Sequence, residues 1–216
     1  IVTGRNPKTL DDARATLGPD AIVLASDAAS VTEAQALGAK IQPYATQLDG
    51  AFLNAGTFTF GPIESMTPKN FEDMFGVNVR GLYFQLQSLL PLLANPSSVV
   101  LNASVVAELG LPSASIYSAT KAAVVSLGKS LAVELSPRGI RVNTLSPGPV
   151  RTPGFDKLGF DANRLKGFED SMVSATLLKR FGNTNEIARL ARFLLSDDSS
   201  FIVGDNITAD GGLLLT

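Results

Sequence analysis

Ser104, Tyr117 and Lys121 stand thirteen and four residues apart, and together they offer a hydroxyl, a phenol and an ammonium. Groups of these kinds can manage the proton that accompanies hydride transfer to or from carbon. A tyrosine four residues ahead of a lysine on a helix shares a face with it, with Cβ atoms about 5–6 Å apart, so the ammonium can act on the phenol. A free phenol titrates near pKa ~10, too weak a base for neutral pH, and a close cation is expected to favour the phenolate and lower that value. This is the tuning that a general acid/base needs. The spacing alone also describes an ordinary surface pair, so the context has to separate the two readings. The apolar run over 97–102 reads as a buried strand, Ser104 follows its end, and 119–135 reads as a helix. The carboxyl end of a strand is where open α/β sheets bind ligands.

A scaffold of that kind agrees with the bulk numbers. The chain has 216 residues, 45% of them hydrophobic and 18% charged, with a mean hydropathy of +0.20. That is enough for one α/β domain over 1–216 with a substantial core. A net charge of −2 and a pI near 5.2 give no electrostatic footprint for nucleic acid or an anionic membrane. Cysteine is absent, so neither a disulfide framework nor a thiol nucleophile is available, which suits a reducing, cytoplasmic setting. Histidine is absent too, which removes the usual nitrogen ligand and the usual general base, and no metal is expected. No apolar stretch approaches the ~20 residues that span a bilayer, and the start turns polar after Val2, unlike a signal peptide.

The elements alternate. Ile1 to Gly4 reads as the end of a strand, after which Asn6 and Pro7 supply an N-cap and a first-turn proline for a helix that Gly18 can stop. A second strand is predicted over 21–26, and Ser30 and Glu33 have the spacing of a capping box for the next helix. A third strand over 49–54 runs into Asn54-Ala55-Gly56. Thr67-Pro68 opens a long helix whose Phe71, Met74, Phe75 and Asn78 share a face, and Pro91 should end or kink it. Strands over 99–103 and 140–145 flank the helix that carries Lys121. The segment 153–175 is polar and irregular and reads as a substrate loop without fixed fold. Thr184 can cap a helix through Leu195, and a last strand over 201–208 precedes Asp210-Gly211-Gly212. Strands alternating with helices mean a doubly wound parallel sheet, Rossmann-like, with helices on both faces.

This succession resembles the short-chain dehydrogenase/reductase family over nearly the whole chain. The resemblance is carried by Asn54-Ala55-Gly56 after a strand, Asn78 in the next helix, Ser104, Tyr117-Ser-Ala-Thr-Lys121, the run Ser146-Pro147-Gly148-Pro149-Val150-Arg151-Thr152, and Asp210-Gly211-Gly212. It implies an NAD(P)(H)-dependent oxidoreductase that interconverts a carbonyl and an alcohol. Tyr117 would exchange the proton, and Lys121 would lower its pKa and hold the nicotinamide ribose. Ser104 would hydrogen-bond the substrate oxygen, and Asn78 would hold a water linking Lys121 to solvent, unless it only bonds neighbouring backbone. Asn54, Ala55 and Gly56 would let the chain turn close to the cofactor. Pro147 and Gly148, an ordinary turn when seen alone, would wall the nicotinamide, with backbone contacts from Val150 and a side-chain contact from Thr152.

In the family an acidic residue after the second strand binds the adenosine ribose, whereas basic residues there suit the extra phosphate of NADP. Here Arg5 follows Thr3-Gly4, which favours NADP(H) over NAD(H). Asp27 and Ala28 would meet the adenine, although Asp27 serves equally well as a cap or turn residue. The family's glycine-rich loop, Thr-Gly-x-x-x-Gly-x-Gly, has no counterpart: counted from Thr3-Gly4, its later glycines would fall at Lys8 and Leu10. The sequence is therefore expected to start at the family's second strand, short by roughly thirty residues, one strand-loop-helix unit. That would leave the second and fourth strands about 10 Å apart, two strand spacings, with both ladders unpaired. A family member kept as a binding or scaffold protein is the alternative to an active enzyme. The resemblance further implies a homodimer or homotetramer paired through the helices that start at Pro68 and Ala119. Apolar residues in 153–175 and from Val106 to Leu111 suggest a hydrophobic or moderately polar carbonyl substrate.

Overall fold

The computed structural model describes residues 1–152, 154 and 161–216. Six strands and seven helices alternate among them: β1 (Val2–Gly4), α1 (Pro7–Leu17), β2 (Val23–Ala25), α2 (Val31–Ile41), β3 (Leu48–Leu53), α3 (Pro68–Phe75), α4 (Leu82–Leu89), β4 (Leu93–Asn102), α5 (Ser115–Leu135), β5 (Ile140–Pro147), α6 (Ala162–Ala175), α7 (Thr184–Leu195) and β6 (Asn206–Ala209). Every ladder is parallel. The strands form a pair, β1-β2, and a four-stranded sheet in the order β3-β4-β5-β6. Among the described residues β1 and β3 share no ladder, and an apolar cleft of about 570 Å³, lined by Val2, Leu37, Leu48, Ala51 and Leu53, lies between them.

Burial follows the pleat. Val99, Val100 and Leu101 on β4 are all fully buried, as a strand covered on both faces requires. Val99 and Leu101 pack with Leu82 and Leu86 of α4 and Val124 and Leu131 of α5. Val100 points the other way, to Leu145, Ala191 and Leu194. A third cluster, Leu37, Ile41, Leu89 and Leu92, seats α2 on α4. The helix contact there is close: a Cβ on Gly38 would meet the backbone oxygen of Ser88. This packing holds the β1-β2 pair to the larger sheet.

The N-termini follow the capping chemistry of their residues. Asn6 Oδ1 accepts from the amides of Lys8 and Thr9. Ser30 Oγ accepts from Glu33 N, but Glu33 leaves the capping box and takes Asp27 N and Lys40 Nζ instead. The α7 cap is Asn183, one residue before Thr184, in a reciprocal box with Glu186.

Several expected boundaries shift. The helix expected to run on from Pro68 is interrupted by a π-helical turn, Gly76–Gly81, before α4 resumes it. Helix α5 starts at Ser115, four residues earlier than 119, which places Tyr117 inside its first turn. The strand expected over 201–208 is only Asn206–Ala209, because its pairing with β5 begins at Thr144–Asn206; Phe201 is fully exposed. The largest correction falls on 153–175. Residues 153 and 155–160 lie outside the described residues, but 162–175 is the helix α6. Leu165, Phe168 and Met172 recur there at the i, i+3, i+7 spacing of one helix face.

Candidate functional site

The carboxyl ends of β3, β4 and β5 and the first turns of α5 surround one small cavity. The last ladder residues of β4 hold Leu101 and Asn102 in register with β5, and the chain leaves the strand through Ser104, whose Oγ accepts from Val106 N at 3.4 Å and opens a short 3₁₀ turn. The Ser104 hydroxyl also hydrogen-bonds the Tyr117 phenol. Tyr117 and Lys121, a turn apart on α5, project toward the same strand ends, so sequence spacing has become spatial proximity.

Lys121 is 4% exposed, and its ammonium donates to the carbonyl oxygen of Asn102 at 2.7 Å. It lies 5.9 Å from the Tyr117 ring centroid. Burial pulls its pKa down to about 8. Burial likewise pushes the Tyr117 phenol up, opposed by the Ser104 hydrogen bond. This differs from the expectation that Lys121 would depress the tyrosine. The ammonium is turned to Asn102, and the loss of water around the buried phenol sets the direction of its shift. In this geometry burial favours the protonated phenol.

Asn78 is 1% exposed and sits in the π-helical turn, a distortion that recurs at functional sites. Its Nδ2 donates to Thr57 O at 2.8 Å and to Thr120 Oγ1 at 3.0 Å, and its Oδ1 accepts from Thr57 N at 2.7 Å. Both amide protons are thus spent on protein, and the side chain clamps the loop after β3 to α5. Only the remaining lone pair of Oδ1 could meet a water. Gly56 faces the same spot: a Cβ there would stand 3.5 Å from Asn78 Oδ1 and 3.6 Å from Lys121 Nζ. Asn54 Oδ1 accepts from Asn102 Nδ2 at 2.7 Å, tying the ends of β3 and β4 together. Ala55 and Gly56 are exposed.

Gly148, Val150 and Thr152 line the same cavity as Tyr117. Pro147 ends β5 and pairs with Ala209. Gly148 is required by packing, since a Cβ would lie 2.6 Å from Asp210 Cα. Asp210 in turn accepts from the amides of Gly212 and Leu214, both at 2.8 Å, and fixes the closing turn. Val150 bridges to Gly182, and Thr152 Oγ1 accepts from Gly154 N. Arg5 and Asp27 form a second group, at the ends of β1 and β2, where their side chains meet at 3.7 Å. Ala28 is buried there, with its carbonyl against Gly81. Three aromatic rings were not singled out from the sequence as site residues: Phe58 and Phe60 stack with centroids 5.5 Å apart and stand edge-on to Tyr117 at 6.1 and 5.9 Å, and Phe168 lines the same cavity. The available signal was the alternation Thr57-Phe58-Thr59-Phe60 directly after Asn54-Ala55-Gly56.

Among the described residues no group of acidic side chains is arranged to hold a metal ion, and no helix is long and apolar enough to cross a membrane.

Residues 1–214 match the family model described as enoyl-(acyl carrier protein) reductase. The chain is 33% identical to an oxidoreductase of Sarocladium schorii over 99% of its own length and 84% of the relative's. It is 34% identical to levodione reductase of Leifsonia aquatica, with 90% and 75% covered, and 31% identical to a 3-oxoacyl-[acyl-carrier-protein] reductase of Thermotoga maritima, with 86% and 82% covered. Among solved structures, a Brucella melitensis short-chain dehydrogenase/reductase described as glucose/ribitol dehydrogenase superposes with a TM-score of 0.90 at 32% identity, over 98% of this chain and 84% of the other. With the parallel sheet, its order and the family model in agreement, the chain belongs to the short-chain dehydrogenase/reductase family of NAD(P)-dependent oxidoreductases.

Proposed function

We propose that this protein reduces a ketone to a secondary alcohol, and runs the reverse reaction, with Tyr117 as general acid/base. When bound, the nicotinamide supplies or accepts the hydride, so that ketone, reduced nicotinamide and one proton give alcohol and oxidised nicotinamide. The observation that carries the reading is geometric: Ser104 and Tyr117 line one mostly apolar cavity, with the buried Lys121 ammonium 5.9 Å from the phenol ring centroid. A carbonyl oxygen entering there meets two hydroxyl donors. As negative charge grows on that oxygen, Ser104 strengthens its hydrogen bond and Tyr117 releases its proton to it. The Lys121 ammonium, 5.9 Å from the ring centroid while bonded to Asn102, would then stabilise the phenolate through space.

The residues present fit a nicotinamide nucleotide in part. Lys121 carries three donors and uses one on Asn102. The space before it is kept clear by Gly56, room for the hydroxyls of a ribose. Gly148, Val150 and Thr152, which line the cavity with Tyr117, would border the ring. At the other end Arg5, itself exposed, meets Asp27 among the described residues in a loose, 3.7 Å ion pair, the kind that contributes about 0–1 kcal/mol. Its guanidinium can turn to an adenosine 2′-phosphate, which supports NADP(H) over NAD(H). No described residue forms a glycine-rich helix start between β1 and β3.

Exposed Phe71 on α3 and Val133 on α5 support pairing of copies through these helices, as a homodimer or homotetramer in the cytoplasm. Within the alanine- and valine-rich run of α5, Val124 goes to the core and Ala122 to the surface. The deciding experiment for the chemistry is Tyr117→Phe, assayed by NADPH oxidation and by calorimetric cofactor binding. Loss of turnover by at least about a thousandfold is expected, within the range for a general acid, while cofactor affinity stays within about threefold. Retained turnover would transfer the proton to another group.

A further inference from the structure

The cavity beside Tyr117 has walls that the proton chemistry does not require. Phe58 and Phe60 stack at 29° between planes, and both stand edge-on to the Tyr117 ring. Val106, Leu109 and Leu213 close other sides. The cavity, about 160 Å³, is bordered by Gly148, Val150 and Thr152, given above to the nicotinamide, and by Phe58 and Phe60, which are left to the substrate. Its polar groups, Ser104, Tyr117 and Thr152, are few. Beyond Phe60 a second hollow of about 360 Å³ shares Leu111, Phe168 and Met172 with the first. Among the described residues, no Asp, Glu, Lys or Arg lines either chamber.

Each of these facts restricts the substrate. A carboxylate or phosphate would find no charged partner among the described lining residues, and burial penalises an unpaired charge heavily. A flexible alkyl chain gains area but none of the ring-edge attraction that Phe58 and Phe60 offer. From this geometry we infer that the substrate is an uncharged ketone with a six-membered ring bonded directly to, or containing, the carbonyl carbon. The ring lies in the inner chamber against Phe58 and Phe60, and any further apolar substituent passes Phe60 into the outer hollow. Phe58 and Phe60 are the specificity-determining residues. The hydride and proton exchange is the one given above, and the inference rests on the Tyr117 reading.

The test compares acetophenone, 2-octanone and 4-acetylbenzoate with NADPH: a ring and a chain of equal carbon number, and the same ring with a charge. kcat/KM for acetophenone should exceed that for each of the others by about tenfold or more, the scale of two aromatic contacts. Phe60→Ala should shrink the acetophenone to 2-octanone ratio about tenfold, through KM, and Phe60→Leu should shrink it less. A ratio is insensitive to loss of folded protein. Calorimetric affinities of the same three compounds provide a readout without turnover and should fall in the same order. Equal or reversed preference, or a ratio unmoved by Phe60→Ala, overturns the inference. If 2-octanone or 4-acetylbenzoate is preferred and turnover is lost in Tyr117→Phe, the Tyr117 reading stands and the ring inference alone falls. If no ketone is reduced, the Tyr117 reading falls, and the affinities still decide whether the chamber selects a ring.

Discussion

Replacing Lys121 by methionine should make the fold more stable at neutral pH while disabling the site. The ammonium is almost fully buried, and its pKa is pulled from 10.5 down to about 8. That difference corresponds to about 3 kcal/mol by which burial disfavours the charged form. The sign follows from proton binding. Below about pH 8 the lysine is charged in both folded and unfolded states and the folded protein bears the whole penalty. Between about 8 and 10.5 the unfolded chain binds the proton and the folded one does not, so stability rises with pH through that window. Methionine fills the same space without charge. Against the recovered penalty stands the Asn102 carbonyl, left without its 2.7 Å donor, at a cost of about 1–2 kcal/mol. The net gain at pH 7 is about 1–2 kcal/mol, or about 2–8 °C in Tm for a chain of this size. Thermal melts of both proteins at pH 7 and pH 10 check it. The advantage of Lys121→Met should vanish or reverse at pH 10, where the native lysine is neutral. A pH-independent difference, or a variant less stable at pH 7, would refute the reasoning.

Asn78→Ala removes three hydrogen bonds to Thr57 and Thr120 and strands the Thr57 amide and carbonyl. It should cost about 2–4 kcal/mol in urea unfolding, whereas a residue that only relays protons would leave the unfolding curve in place. Gly148→Ala drives a Cβ into backbone at Asp210 and should destabilise by about 2 kcal/mol or more, seen in the same melts. Arg5→Glu should reduce the preference for NADPH over NADH by about 10–100-fold, the worth of one charge-assisted contact to a phosphate; an unchanged ratio of kcat/KM values would place the selection elsewhere.

Much of the site was legible because the chemistry needs fixed residue types at fixed spacings. Ser104, Tyr117 and Lys121 come together as their intervals on a strand end and a helix dictate. Asn6 with Pro7, and Ser30, mark their helix starts because orphan amides need an acceptor there. What stayed hidden depended on tertiary competition. Glu33 had a capping role open to it and took Lys40 and Asp27 N instead. The direction of the Tyr117 shift depends on burial and on where Lys121 points, neither of which is written in a four-residue spacing. Helix α6 was obscured by its polar residues, with Leu165, Phe168 and Met172 carrying the period alone. Phe58 and Phe60 look like ordinary hydrophobic residues until the loop after β3 folds back over Tyr117.

The π-helical turn Gly76–Gly81 touches the loop after β3 and helix α5 on one side and the loop after β2 on the other. Asn78 at its start holds Thr57 and Thr120, Arg80 reaches Ala29 O, and Gly81 lies so close to Ala28 O that no side chain would fit between them. Six consecutive residues therefore act as a gauge block. They set the distance between the loop after β2 and the tyrosine helix by helical geometry rather than by the slack of a loop. A ligand long enough to reach from the loop after β2 to α5 is measured against a ruler made of that one turn.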